Sequence, residues 1–159
     1  MRKQLEGIAL IGLVVHAWVT FRAFFGAERL PERIPIHFDH AGTPNGWGQP
    51  SSLLILPIVT LGFYVVITIV SQFPGAFNYP VRVTAENGAR LEKLAIEMIA
   101  WLKAELVWLF AGIQWFAIDA ARSGKGVLPL FFPVGIAAVL GTVGWYLVAM
   151  LREGREASR

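Results

Sequence analysis

The chain has no cysteine, which excludes disulfides, thiolate nucleophiles and thiolate metal sites. Charge is scarce as well: 16% of the 159 residues are Asp, Glu, Lys or Arg, against roughly a quarter in a soluble domain. It contains no HExxH pair, no phosphate-cradling glycine loop and no recognisable nucleophile–base pair. The sequence is therefore not read as that of an enzyme, and no cofactor is expected. The net charge of +3 does not imply nucleic acid, because the basic residues gather at the ends of apolar runs. There, positive-inside bias and anionic lipid headgroups account for them. No small-x-small cleavage site follows the first apolar run, since Phe25 stands two residues before Ala27. That favours a retained span over a cleaved signal peptide.

What is plentiful is hydrocarbon. Hydrophobic residues make up 55% of the chain and mean hydropathy is +0.56. These residues are collected into runs approaching twenty, long enough to cross a bilayer core about 30 Å thick. The expected architecture is an all-α integral membrane four-helix bundle with spans at about 8–25, 51–72, 98–120 and 127–151. Residues 26–50 form an extended outer loop. Residues 73–97 form a turn and an amphipathic helix that projects, as the start of a long third helix, into the cytoplasm.

The third helix carries most of the detail. Pro74-Gly75 and Asn78-Tyr79-Pro80 are turn signals, and Thr84 reads as the N-cap with Glu86 in the first turn. A helix from there to residue 121 is about 57 Å long, more than the hydrocarbon requires. Its first half alternates Leu91, Leu94, Ala95, Met98 and Leu102 with Arg90, Glu92, Lys93 and Glu97 at helical spacing. Farther along, Lys103 and Glu105 are two residues apart, so they point apart and cannot pair with each other. Lys103 is expected to snorkel to the headgroups. Glu105 is either an interfacial bystander or a polar site facing the bundle.

Two further polar groups fall inside spans, His16 and Gln114. His16 reads either as a hydrogen-bonded packing residue or as a proton or ion site. With Glu105 and Gln114 it would supply the polar track of a channel or transporter. In the fourth span, Ala137, Ala138, Gly141, Thr142 and Gly144 are small residues suited to close helix packing, within the chain or in a homo-oligomer. Both termini and the middle loop carry Arg2, Lys3, Arg82, Arg90, Lys93, Arg152, Arg155 and Arg159. The other two loops carry Arg29, Arg33, Arg122 and Lys125. The imbalance puts both termini in the cytoplasm.

The outer loop is the long polar interruption, with two of the three histidines. Ile34, Ile36 and Phe38 alternate with Pro35, His37 and Asp39, the period of an extended segment. Thr43-Pro44-Asn45-Gly46 reads as its turn, with Trp47 an interfacial anchor beyond it. His37, Asp39 and His40 are weak candidates for a metal, since their spacing matches no established zinc pattern. Structuring of the loop and recognition of a ligand without metal are the other readings of the same residues.

The series Leu30-Pro31, Ile34-Pro35-Ile36-His37-Phe38 and Gly42-Thr43-Pro44-Asn45-Gly46-Trp47 resembles the signature of a bacterial membrane family classed as domain of unknown function 1648. That domain is also the N-terminal part of SdpI-type immunity proteins. Asn78-Tyr79-Pro80, followed by Thr84-Ala85-Glu86-Asn87, is similar to the turn that precedes the long third helix in such proteins. The resemblance implies a multi-span protein of the inner (cell) membrane and supplies no catalytic residues. It marks Pro35, His37, Gly42, Asn45, Gly46, Trp47, Asn78 and Pro80 as motif positions. The function expected from residues and resemblance together is binding, signalling or immunity, with a peptide, protein or lipid partner met at the outer loop. The alternative is a component of a channel or transporter.

Overall fold

A computed structural model describes residues 1–27, 29–124 and 130–156. The expected start of the fourth span at 127, residues 125–126 of the loop before it, and the last three residues lie outside these.

Four helices and one hairpin make up the described chain. Helix α1 (Arg2–Phe25) is followed by strands β1 (Ile34–Phe38) and β2 (Pro44–Gly48) and a 3-10 turn (Pro50–Leu54). Then come α2 (Ile55–Val70), a second short turn (Pro74–Ala76), α3 (Gly88–Ser123) and α4 (Phe131–Glu156). Pro57 falls in the first turn of α2, where its missing N–H has no helical partner to lose. Gly124, at φ +68°, closes α3 in the left-handed conformation that glycine adopts without cost.

Helix α3 is the hub. At 36 residues it is about 54 Å long, and α1, α2 and α4 each pack mainly on it rather than on one another. The expected bundle is therefore three helices leaning on a fourth. Leu5 and Ala9 of α1 meet Ala100 and Ala104, whereas Ala23 meets Ile118 and Ala121, so α1 and α3 run parallel. Leu53 joins the Ala23–Ile118 cluster and Tyr64 the Ala100–Ala104 cluster, which makes α2 antiparallel to α3. Met150 packs on Leu91 and Ala95, so α4 is antiparallel too. The start of α1, the end of α4 and the 71–87 connection thus share one end, and the hairpin occupies the other.

The packing faces follow from residue size. On α1 the buried stripe is Leu5, Ala9, Gly12, His16, Thr20 and Ala23, at intervals of three and four. A Cβ on Gly12 would lie 2.8 Å from Val107 Cγ1, so only glycine allows the two backbones this close. Gly112 similarly makes room for the Phe131 ring of α4. The small residues expected to pack α4 mostly do not: Ala137, Ala138, Gly141 and Gly144 are exposed, and α4 contacts α3 through Gly135, Thr142, Tyr146 and Met150 instead.

Three segments, Arg2–Phe25, Pro50–Val70 and Phe131–Glu156, are long and apolar enough to cross a membrane. Their outward faces expose Val14, Ile58 and Leu140, each about two-thirds accessible. Helix α3 is not among them; of its charged residues Lys103 is buried, while Arg90, Lys93, Asp119 and Arg122 are exposed.

Two local expectations fail. Helix α3 begins at Gly88 rather than after Thr84. The buried Asn87 explains this: its Oδ1 accepts the Thr84 amide at 2.8 Å and its Nδ2 donates to the Arg82 carbonyl at 3.1 Å. Those bonds hold 82–87 as a turn. The hairpin also turns earlier than expected, at 39–43, which leaves Pro44, Asn45 and Gly46 in β2.

Candidate functional site

Asp39 builds the hairpin turn. Its Oδ1 accepts the amides of Ala41 at 2.9 Å and Thr43 at 2.8 Å, while its own amide donates to the Thr43 carbonyl at 2.9 Å. Gly42 supplies the positive φ, +82°, that this turn needs. The Thr43 amide is the main reason the Asp39 carboxyl is held below the usual carboxylate range. Asp39 is therefore an anion at neutral pH. His40 is exposed beside it.

The strands pair Ile34 with Gly48, Pro35 with Trp47, His37 with Gly46 and Phe38 with Pro44. Ile36 has no partner, and this bulge breaks the expected alternation: Ile34 and Pro35 are buried, while Ile36 is half exposed. Ile34 fastens the hairpin to the bundle end, packed with Ala23, Leu53, Ile118 and Ala121. Across the strands, His37 Nδ1–H donates to Asn45 Oδ1. An amide oxygen only accepts, so that bond places a proton on Nδ1. Gly46 lets His37 sit there, because a Cβ at 46 would come within 2.8 Å of His37 Cβ. Trp47 is partly exposed on the outer strand.

Beneath the bulge lies a cleft of about 400 Å³. Ile36, His37 and Asp39 form its rim, and Ile113, Phe116 and Phe132 its floor. The Phe38 ring tilts onto Phe116 with centroids 5.1 Å apart and joins hairpin to floor. The structure thus gathers His37, Asp39 and His40 around one concavity, with Asn45 and Gly46 against His37 on the neighbouring strand. It does not gather a metal site: among the described residues no group of three His, Cys, Asp or Glu is placed to hold an ion.

Asn78 and Pro80 lie at the opposite end of the bundle, exposed, and share nothing with the hairpin. Their turn is held by neighbours instead, with Tyr79 Oη donating to the Pro74 carbonyl at 2.9 Å and Val81 packed near Leu91 and Met150.

The intramembrane polar residues do not form one track. Gln114 Nε2 donates to Thr20 Oγ1 at 3.2 Å and to the Leu53 carbonyl at 2.9 Å, tying α1, α3 and the start of α2 together. His16 is buried next to this knot, and neither ring nitrogen makes a hydrogen bond. Glu105 faces the other way, accepting from Thr142 Oγ1 of α4 at 2.6 Å. Nine residues at about 100° each place Gln114 half a turn from Glu105, so the two cannot line one track.

Sequence reasoning missed one constellation. Lys103 does not snorkel; it is 1% exposed, with Nζ 2.6 Å from Glu6 Oε1, 3.0 Å from Thr68 Oγ1 and 4.8 Å from the centre of the Tyr64 ring. Tyr64 Oη donates to the second Glu6 oxygen at 3.3 Å. A carboxylate in the first turns of one span and an ammonium within another was the available signal, since two such groups at one depth gain by pairing.

Residues 8–61, which cover most of α1, the hairpin and the first part of α2, match the family model described as "Domain of unknown function (DUF1648)". That is the family the outer-loop series resembles. An uncharacterised protein from Archaeoglobus fulgidus is 26% identical over 154 residues, covering 88% of this chain and 79% of its own length. No solved structure matches.

Proposed function

We propose that the chain is a four-span, non-enzymatic membrane receptor that recognises an amphipathic peptide in the cleft beneath its hairpin. The single observation behind this is the cleft itself, a concavity with an aromatic floor and a polar rim. Its floor accepts one large apolar side chain. Its rim offers the Asp39 carboxylate, which suits a basic neighbour, and the exposed imidazole of His37. The hairpin is held at both ends, by Asp39 and by Ile34, so the rim is preorganised and little ordering cost attends binding.

Membrane placement rests on three apolar segments and their lipid-like outer faces. In this reading α3 crosses with them, Lys103 held between α1 and α2 and Glu105 against α4, and its first turns project into the cytoplasm. The end that holds both termini carries Arg2, Lys3, Arg82, Arg90, Lys93 and Arg152, a positive-inside bias that supports a cytoplasmic placement of that end and an outer placement of the hairpin.

Both parts are testable on a chain free of cysteine. Ala41→Cys should react with an impermeant maleimide from outside intact cells; protection until the membrane is permeabilised would reverse the orientation. Random peptides selected on nanodisc-embedded protein should be enriched in an aromatic or aliphatic anchor next to Lys or Arg. Those peptides should lose binding to Ile113→Trp, which fills the floor. Equal binding to wild type and variant would dismiss the cleft as the recognition site.

A further inference from the structure

Where α1 and α3 end side by side, near the hairpin, they leave an open groove of about 220 Å³ between them. The two helices run parallel with a constant offset. Glu6 and Lys103, 97 positions apart, pair toward the other end. Trp18 with Trp115 and Arg22 with Asp119 have the same separation, and both couples line this groove. The tryptophans lie one helical turn, about 6 Å, farther from the helix ends than the charges. Val19 and Ile118 form the floor, and Arg122 adds a second guanidinium to the rim.

At the matched position where Glu6 and Lys103 close on each other, Arg22 and Asp119 do not. Among the described residues neither makes an ion pair or a side-chain hydrogen bond, and both side chains are exposed. Each is therefore open to a ligand in the groove. Residues of an ordinary interfacial belt turn outward singly, each from its own helix. These converge on one concavity from two helices.

The order of chemistry along the groove says what fits it. Guanidinium groups match the oxygens of a phosphate. One turn farther in, Trp18 and Trp115, each more than half exposed, present the amphipathic rings that settle at the ester level of a bilayer. Phosphate outermost, esters next and hydrocarbon beyond is the build of a phospholipid. Asp119 adds selection: its carboxylate attracts a headgroup that carries an ammonium and repels one that does not.

We propose that the groove seats a phospholipid headgroup, its phosphate on Arg22 and Arg122 and the ammonium of an aminophospholipid at Asp119. This rests on the membrane placement of the apolar segments and not on the peptide cleft.

Native mass spectrometry of protein released from nanodiscs of equal phosphatidylethanolamine and phosphatidylglycerol counts the lipids each chain keeps. Wild type should keep phosphatidylethanolamine several-fold over phosphatidylglycerol. Arg22→Gln should lower retention of both about tenfold, as loss of a charge-assisted phosphate contact implies. Asp119→Asn should still keep phosphatidylglycerol and erase the preference, a change of selectivity that a loosened fold would not produce. Both side chains are exposed, so neither variant empties a packed site. Calorimetric titration of the same nanodiscs with phosphoethanolamine tests a soluble occupant. Saturable binding that Arg22→Gln abolishes, with no lipid retained, overturns the lipid assignment. Equal retention by wild type and Arg22→Gln overturns it too, as does a preference that survives Asp119→Asn. Failure of the protein to enter nanodiscs is a distinct result, which removes the membrane reading and the proposal with it.

Discussion

Replacing Glu6 by Gln is expected to destabilise the helix assembly far more than replacing Lys103 by Met. The two partners differ in exposure: the Lys103 side chain is 1% accessible and that of Glu6 27%. Removing Glu6 strands a buried ammonium with only Thr68 Oγ1 at 3.0 Å and the Tyr64 ring for company. The loss of one partner from a buried pair costs about 3–5 kcal/mol, and the lower end applies here because Glu6 reaches the surface. Removing Lys103 leaves a carboxylate that can turn to water, at a cost of about 1 kcal/mol. The double variant replaces both charges by groups of similar shape and should recover most of the loss, as buried pairs exchanged for apolar residues do. Reversible unfolding of purified protein by sodium dodecyl sulfate, followed by far-ultraviolet circular dichroism, measures all three variants. Equal costs below about 0.5 kcal/mol for both single variants would refute the argument, since that is the behaviour of an exposed ion pair. A snorkelling lysine would give that result.

Three other expectations follow from the packing and the turn. Gly12→Ala places a Cβ 2.8 Å from Val107 Cγ1 and should cost about 1–3 kcal/mol by forcing α1 from α3; Gly62→Ala, with nothing within 4 Å, should be neutral or gain up to about 1 kcal/mol. The same detergent titration compares them, and equal effects would contradict the close approach. The Asp39 carboxyl titrates below its unfolded value of about 3.9, so its contribution to the turn is complete above that pH and fades as pH falls through the lowered folded value. Hydrogen exchange at the Ala41 and Thr43 amides, corrected for intrinsic rates, should therefore lose protection only at acid pH, and in Asp39→Asn this pH dependence should vanish. Gly46→Ala should push His37 off Asn45 and loosen the strands by about 1–2 kcal/mol, read as faster exchange across β2 with the helices unaffected.

Helix existence was legible because it depends on local periodicity and length. The 8–25 run lies within α1, and the 51–72 run contains α2. The errors arise where the outcome depends on partners distant in sequence or on competition between neighbours. Two turn-competent stretches overlap within eight residues, 39–43 and 43–46; the hydrogen bonds of Asp39 select the first, and residue preferences alone do not rank them. Thr84 is a good N-cap by type, but Asn87 engages its amide and delays the helix. The Lys103–Glu6 pair spans 97 positions, beyond any local pattern. In the candidate site the relevant residues of the outer loop were visible as a group. The floor they stand on, Ile113, Phe116 and Phe132, was not, because these residues read as ordinary span.

That one helix supports the other three has a consequence for biosynthesis. The end of α2 is at Val70 and that of α3 at Ser123, so 53 residues separate their completion. At elongation rates of about 5–20 residues per second, α1 and α2 wait roughly 3–10 s for their scaffold to emerge. During that interval Glu6 has no ammonium to meet and the Gly12 groove stands vacant. The nascent protein passes through a stage in which its first two apolar helices are made but have no scaffold to pack on.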